Sequence, residues 1–134
     1  MVEQGGILSH ISQRPPFVFI DTIEYQSKKK ARTHFTIIED CPMLSNGILP
    51  LAGIMENAAQ TCSVLAGGNI AYIGAVKQME VMRFPHLGET VCTEARVVQE
   101  MLNISLIECV TSIHDEMIAT TTLKIAIIEN NATR

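Results

Sequence analysis

Tryptophan is absent from this 134-residue chain, and there are only four phenylalanines and two tyrosines. Aromatic platforms on which nucleic-acid bases stack are therefore scarce, and a formal net charge of −4 disfavours a general electrostatic grip on nucleic acid. No apolar run approaches the ~18 residues of a membrane-spanning helix. The N-terminus also lacks a basic segment followed by an apolar stretch. The sequence predicts a cytoplasmic protein with neither a nucleic-acid nor a membrane partner.

The four cysteines are also sparse, and they lie far apart in the chain. There is no Cys-x-x-Cys pair and no Cys/His pair at metal-ligand spacing, so we expect reduced thiols in the core. No phosphate-binding loop and no dinucleotide glycine fingerprint is present. We therefore expect neither a metal nor a cofactor.

Apolar residues make up 47% of the chain and charged residues 18%. This composition is sufficient for a buried core and too apolar for a disordered chain. At this length we expect residues 1–134 to form a single domain.

The pattern of apolar residues predicts one long helix between two groups of strands. Residues 51–66 form the helix, which Pro50 precedes and Gly67 and Gly68 end. Its apolar side chains cover most of its circumference, as is typical of a buried helix. Alternating and β-branched segments predict strands at residues 17–25, 32–38, 71–84, 89–98, 104–113 and 117–128. One helix is buried on all sides only if the sheet wraps it, so we predict an α+β hotdog fold, an antiparallel β-sheet around one central helix.

Three segments resemble bacterial 3-hydroxyacyl-(acyl-carrier-protein) dehydratases, in the same order along the chain. Residues 11–17, ISQRPPF, continuing to Asp21, resemble the opening of that family. Residues 50–60, PLAGIMENAAQ, resemble its central helix, and residues 74–90, GAVKQMEVMRFPHLGET, resemble the next strand and turn. The Pro15-Pro16 pair looks closer to the dehydratase-like proteins of aryl-polyene and flexirubin-type pigment clusters.

The resemblance implies removal of water from a 3-hydroxyacyl thioester. In the family a histidine is the base, a carboxyl group on the helix is the acid, and the two come from opposite subunits of a dimer. Glu56 matches the family's acid, but Gln13 stands where the family has its histidine, and Leu51 stands where it has a glycine. An amide cannot accept the proton, although Gln13 can donate a hydrogen bond to a thioester carbonyl or a substrate hydroxyl. His10 is a poor substitute, and we expect His34 and His86 at the surface.

Glu56 also fits an acid on physical grounds, because burial in an apolar helix would favour its protonated form. The plainer alternative is a carboxylate at the rim or one satisfied by a partner. Gln60, four residues later on the same helix face, either orients Glu56 or bonds to a neighbouring backbone group.

The helix entry is the expected binding site for the thioester. The N–H groups of Leu51, Ala52 and Gly53 have no obvious cap and are predicted to hold a carbonyl oxygen, unless Asn46 or water caps the helix. Phe17, at the end of the first matching segment, is placed with these substrate-binding residues and with Gln60.

Two further patterns leave alternatives open. The basic cluster of residues 28–32 either docks acyl carrier protein or is simply a solvated hairpin turn. Met55, Met79 and Met82 either fill the core or line an acyl channel.

Three functions follow, all on an acyl thioester carried by acyl carrier protein or coenzyme A. The first is a dehydratase-like enzyme of fatty-acid or polyene-type acyl metabolism. The second is a thioesterase that uses Glu56. The third is a non-catalytic acyl-binding subunit of a hetero-oligomer with a His-bearing homologue. We expect at least a homodimer, because the isolated sheet would leave an edge strand unpaired.

Overall fold

The computed structural model describes residues 4–67 and 69–128, which contain two helices and six strands. In chain order they are α1 (Gln4–Ile7), β1 (Thr22–Gln26), β2 (Lys30–Thr36), α2 (Leu51–Leu65), β3 (Ile70–Val81), β4 (Thr90–Met101), β5 (Ile104–Ile113) and β6 (Glu116–Ile128). The predicted long helix is confirmed as α2. The single turn α1 was not predicted, because four residues are too few for a helical period to be visible in the sequence.

The six strands form one sheet in the order β1-β2-β4-β5-β6-β3, with every neighbouring pair antiparallel. The helix α2 packs on one face of this sheet and contacts β2, β3, β4, β5 and β6. This is the predicted arrangement of one long helix on an antiparallel sheet. Strong alternation in β5, where every second residue is buried, shows how the inner face is specified.

The first predicted strand begins five residues too early. Residues 17–21 lie outside β1, and the strand register with β2 begins only at Thr22. Their apolar character is real, because Phe19 and Ile20 are fully buried. The strand was predicted too early because these two residues are buried without pairing to a strand. An apolar run alone does not reveal which groups form hydrogen bonds with its backbone.

The core lies between α2 and the inner face of the sheet. Ala58 and Cys62 of α2 pack against strand residues that include Ile107, Cys109 and Leu123. The helix is not buried all round, which corrects the prediction from its circumference. One side of it remains uncovered by the chain's own sheet, and the residues on that side are Leu51, Ala52, Met55, Glu56, Ala59 and Ser63.

The helix ends at Leu65 and the chain then turns. Ala66 is the C-cap, and Gly67 adopts a left-handed φ of +65°, where a side chain would be strained. The predicted stop at Gly67 is thus confirmed, while Gly68 lies outside the described residues.

The long strand β3 forms one edge of the sheet. It has 12 residues, and its exposed side chains include Tyr72, Ile73 and Val76. The opposite edge is β1, with only five residues. A long apolar edge is a surface that proteins usually pair or cover.

All four cysteines are free thiols. Cys41, Cys62 and Cys109 are buried, as predicted. Cys92 is only half-buried, and its Sγ accepts a hydrogen bond from Nε of Arg32 at 2.8 Å. The expectation of a core position is therefore wrong for Cys92, because its strand presents it to the outer face of the sheet.

Candidate functional site

The first turn of α2 leaves donors unpaired at the uncovered end of the helix. Pro50 is the N-cap in extended conformation, and no side chain caps the helix, so the alternative of Asn46 as cap is not observed. Leu51 and Ala52 are exposed, and their N–H groups have no acceptor within residues 4–67 and 69–128. Gly53 is different, because its N–H donates to the carbonyl of Pro50 at 2.9 Å. The prediction that the Gly53 N–H is free is therefore wrong.

Gly53 has a packing role instead. A Cβ at this position would lie 2.3 Å from Cδ1 of Leu49, whose side chain is buried. The main chain of Leu49 is fixed in turn, because its N–H donates to the carbonyl of Pro85 at 2.9 Å. The absence of a side chain at residue 53 thus lets the loop before α2 pack directly against the helix.

A bidentate ion pair organises the loop that holds this helix entry. Both Nη atoms of Arg83 donate to the carboxylate of Glu89, at 2.9 and 3.0 Å. The backbone N–H of His86 also donates to Glu89, at 2.8 Å. Arg83 and the His86 N–H together lower the pKa of Glu89 to about 2. The third segment that carried the resemblance therefore encodes a structural turn.

Glu56, Gln60 and Phe17 are brought together by the hydrogen bonds of Gln60, of which the helix spacing predicted only the one to Glu56. Nε2 of Gln60 donates to Oε1 of Glu56 at 2.9 Å and to the carbonyl of Phe17 at 3.0 Å. Gln60 is fully buried, Glu56 is half-buried and Phe17 is 52% exposed. Both alternatives for Gln60 therefore hold at once, because it contacts the carboxylate and a backbone group. Glu56 lies at the rim of the helix rather than in the core.

Buried side chains of α2 bind the backbone of Phe19, in the segment before β1. The N–H of Phe19 donates to Oε1 of Gln60 at 2.8 Å, and its carbonyl accepts from Nδ2 of Asn57 at 2.7 Å. Oδ1 of Asn57 accepts in turn from the hydroxyl of Thr93 at 2.6 Å. These contacts fix the segment that carries Gln13 and Phe17 relative to the helix that carries Glu56.

The contact between Asn57 and Thr93 continues into a row of threonines, which the sequence analysis missed. Thr33, Thr93 and Thr111 lie on neighbouring strands in register. The hydroxyls of Thr93 and Thr111 are 3.0 Å apart, and that of Thr33 is 2.9 Å from the hydroxyl of Thr61 on α2. A threonine at an inward-facing position of each of these strands could have indicated a buried hydrogen-bonded row.

Gln13 lies half-buried in the segment before β1, close to the cis peptide bond between Pro15 and Pro16. Its Oε1 is buried and has no hydrogen-bond partner among the described residues. Its main-chain carbonyl accepts from Nη1 of Arg14 at 2.7 Å. Among the described residues, no hydrogen bond joins Gln13 to Glu56. An unpaired buried acceptor is rare in folded proteins.

None of the four histidines, all within the described ranges, contacts Glu56. Nδ1 of His10 lies 3.1 Å from the carbonyl of Gly6, and His34 pairs with Glu24 at 2.7 Å. His86 is exposed beside Glu89, and His114 is exposed in the turn between β5 and β6. That His10, His34 and His86 do not act as the base stays a prediction.

Asp21, where the first matching segment ends, has a structural contact. Its Oδ2 accepts the N–H of Thr36 at 2.6 Å, and its own N–H donates to the carbonyl of His34 at 2.7 Å. Burial raises the pKa of the Asp21 carboxyl. Asp21 thus fastens the start of β1 to β2.

The basic cluster forms ion pairs with glutamates, and the three methionines differ in burial. Lys29 pairs with Glu100, and Arg32 lies 3.8 Å from both Glu24 and Glu94. Met79 packs against the core, Met55 lies half-buried on the uncovered side of α2, and Met82 is exposed. Docking of a carrier protein and an acyl channel both stay predictions.

Within residues 4–67 and 69–128, no group of three or more His, Cys, Asp or Glu side chains is arranged to hold a metal ion. No helix in the same ranges is long and apolar enough to cross a membrane.

Comparison with known proteins finds relatives in sequence and in structure. No protein-family model matches the chain. It is 24% identical over 123 residues to the 3-hydroxyacyl-(acyl-carrier-protein) dehydratase FabZ of Levilactobacillus brevis, which covers 83% of each protein. The dehydratase heterocomplex ApeI:P from Xenorhabdus doucetiae contains a chain that superposes with a TM-score of 0.83 at 14% identity, over 92% of this chain and 91% of that one.

A hypothetical thioesterase from Streptococcus pneumoniae, solved with coenzyme A, superposes with a TM-score of 0.71 at 6% identity. The match covers 81% of this chain and 85% of that one. The predicted α+β hotdog fold is confirmed by these structures. The resemblance to dehydratases that the three sequence segments indicated is confirmed by these comparisons.

Proposed function

We propose that this chain is a dehydratase-type subunit that binds 3-hydroxyacyl thioesters and supplies the carboxyl group of Glu56 as the acid. The observation that carries the proposal is the contact between Gln60 and Glu56, at 2.9 Å, beside a segment with Gln13 at the histidine position. The acid is positioned, and the base has to come from another chain.

The chemistry requires two proton transfers, one from C2 and one to the hydroxyl oxygen on C3. A base takes the proton from C2, the electron pair forms the C2–C3 double bond, and the hydroxide on C3 leaves as water after Glu56 protonates it. The free N–H groups of Leu51 and Ala52 are suited to the negative charge that develops on the thioester oxygen. Gln13 contributes only hydrogen bonds, which its Nε2 donates to the thioester carbonyl or to the substrate hydroxyl.

The missing base points to a hetero-oligomer in which a homologous subunit supplies a histidine. Two surfaces support association: the uncovered side of α2, which carries Glu56, and the long apolar edge β3. A copy of this chain paired along β3 would bring a second Gln13 and no histidine at that position. The chain similar to this one in the ApeI:P complex is part of a dehydratase heterocomplex, which is the assembly that a subunit without its own base requires.

The test restores the base in the protein itself. Purified wild type, Gln13→His and the double variant Gln13→His/Glu56→Gln are given a panel of 3-hydroxyacyl thioesters of acyl carrier protein and coenzyme A. Mass spectrometry follows the loss of water and the release of free acid. A positioned base contributes about 10²- to 10⁴-fold in rate, so we expect Gln13→His to dehydrate at least about 10²-fold faster than wild type.

The double variant distinguishes repair of the site from unspecific gain. It should return to the wild-type rate, because the histidine then has no acid to work with. Rapid dehydration by wild type alone would show that the chain has its own base and would contradict the proposal. Release of free acid by wild type, lost in Glu56→Gln, would identify a thioesterase instead.

A further inference from the structure

A concave surface lies on the face of the sheet opposite α2. It is separate from Glu56, Gln60 and Phe17. It is a half-open groove of about 450 Å³ at the end of the β4–β5 hairpin. Its lining includes Lys77, Met101, Leu102, Ile104, Leu106 and Lys124. In β5 the inward residues contact α2 through Cys109, so Ile104 and Leu106, which alternate with them, face outward.

The apolar wall of the groove is unusually exposed. Leu102 is 99% exposed, Met101 67% and Ile104 40%. Leu102 also adopts a left-handed φ of +56° at the tip of the hairpin. A bulky side chain is unfavourable in that conformation, where asparagine or glycine is the usual choice. Neither the backbone conformation of Leu102 nor burial of its side chain favours folding. We therefore expect this side chain to contact a molecule outside the chain.

The charged residues of the groove are both cationic in a chain of net charge −4. Lys124 is opposite Leu106 in the β5–β6 register. Within the described residues, neither Lys77 nor Lys124 has a carboxylate partner. Glu100 and Glu108 pair instead with Lys29 and Arg96.

An apolar wall beside two unpaired ammonium groups fits a ligand with an alkyl chain and an anionic head. We propose that this groove binds a free single-chain amphiphile with an anionic head group, of the long-chain carboxylate class. The apolar side chains at the hairpin tip hold the alkyl chain, and Lys77 and Lys124 bind the head. The groove is separate from the face of α2 that carries Glu56. This proposal can therefore be refuted or supported independently of the dehydratase-type function.

The test measures binding of monomeric decanoate and of its neutral analogue 1-decanol by calorimetry, with the purified protein in its own oligomeric state. The Lys77→Gln/Lys124→Gln variant should weaken decanoate about fivefold, as expected for two partly exposed ionic contacts, and leave decanol unchanged. The Lys28→Gln/Lys30→Gln variant makes the same change of net charge at another hairpin and should leave both ligands unaffected.

The Leu102→Asn variant tests the apolar wall without the risk of unfolding. Asparagine tolerates the left-handed conformation, so the protein should be at least as stable as wild type. Both ligands should bind about fivefold more weakly, because part of the apolar contact is lost.

Four outcomes would overturn the proposal. The first is no binding of decanoate by wild type, and the second is equal weakening in the two lysine pairs. The third is binding unaffected by Leu102→Asn, which would locate the ligand elsewhere. The fourth is retention of the protein on anionic phospholipid vesicles that depends on Lys77 and Lys124, which would identify a membrane surface rather than a free amphiphile.

Discussion

Replacement of Gln60 by methionine should lower the free energy of unfolding by about 1–3 kcal/mol. Methionine keeps the length of the side chain and is as favourable in a helix as glutamine, so the change removes only hydrogen bonds. The N–H of Phe19 then has no acceptor in a fully buried position, and an unsatisfied buried donor costs about 1–3 kcal/mol. Phe17 and Glu56 are exposed enough to bond to water instead, so their loss adds little.

Urea unfolding followed by far-ultraviolet circular dichroism provides the measurement, because the chain has no tryptophan for fluorescence. Protein concentration is held fixed, since association would add to the apparent stability. Gln99→Met is the matched control, as it makes the same exchange at an exposed position of β4. If Gln60→Met loses less than about 1 kcal/mol relative to this control, the buried Phe19 N–H is not dependent on Gln60 and the reasoning fails.

Two further substitutions test the entry to α2. Gly53→Ala should destabilise the protein by about 1–3 kcal/mol in the same unfolding assay, because the added Cβ would lie 2.3 Å from a carbon of Leu49; an unchanged or raised midpoint would contradict this packing. Because Arg83 holds the pKa of Glu89 at about 2, the ion pair stabilises the fold above the usual carboxyl range and loses its effect as pH falls toward about 2. Glu89→Gln should thus be less stable than wild type near neutral pH and equal to it at low pH, whereas a gap independent of pH would exclude the ion pair as the cause.

The sequence predicted best the strands and the helix whose apolar side chains recur with a regular period and pack on one core. The bounds of β5 were predicted to the residue, and α2 to within one residue at its C-terminal end. The strand expected at residues 17–25 was half wrong, because Phe19 is buried like a strand residue but bonded to helix side chains. Periodicity reports which side chains are buried and is silent about the partner of each backbone group.

The site was predictable where one residue acts through its own helix and unpredictable where it depends on another segment. Gln60 is four residues from Glu56, and the helix period alone places them side by side. The bond from Gln60 to the carbonyl of Phe17 spans 43 residues and was not accessible to such reasoning. The half-exposed position of Glu56 likewise depends on how far the sheet extends around α2.

Under the proposed function, these contacts explain how residue 13 can differ from the family's histidine while the surrounding segment stays in place. The segment with Gln13 is positioned by Asn57 and Gln60 through the backbone of Phe19, and by Asp21 through the backbone of Thr36. None of these contacts involves the side chain of residue 13, whose Oε1 bonds to no described residue. A change at that position alters the chemistry of the segment without altering its anchorage. For the same reason the Gln13→His variant should fold like wild type, with an unfolding midpoint that moves far less than that of Gln60→Met. A large loss of stability in Gln13→His would mean that the glutamine side chain is itself part of the frame.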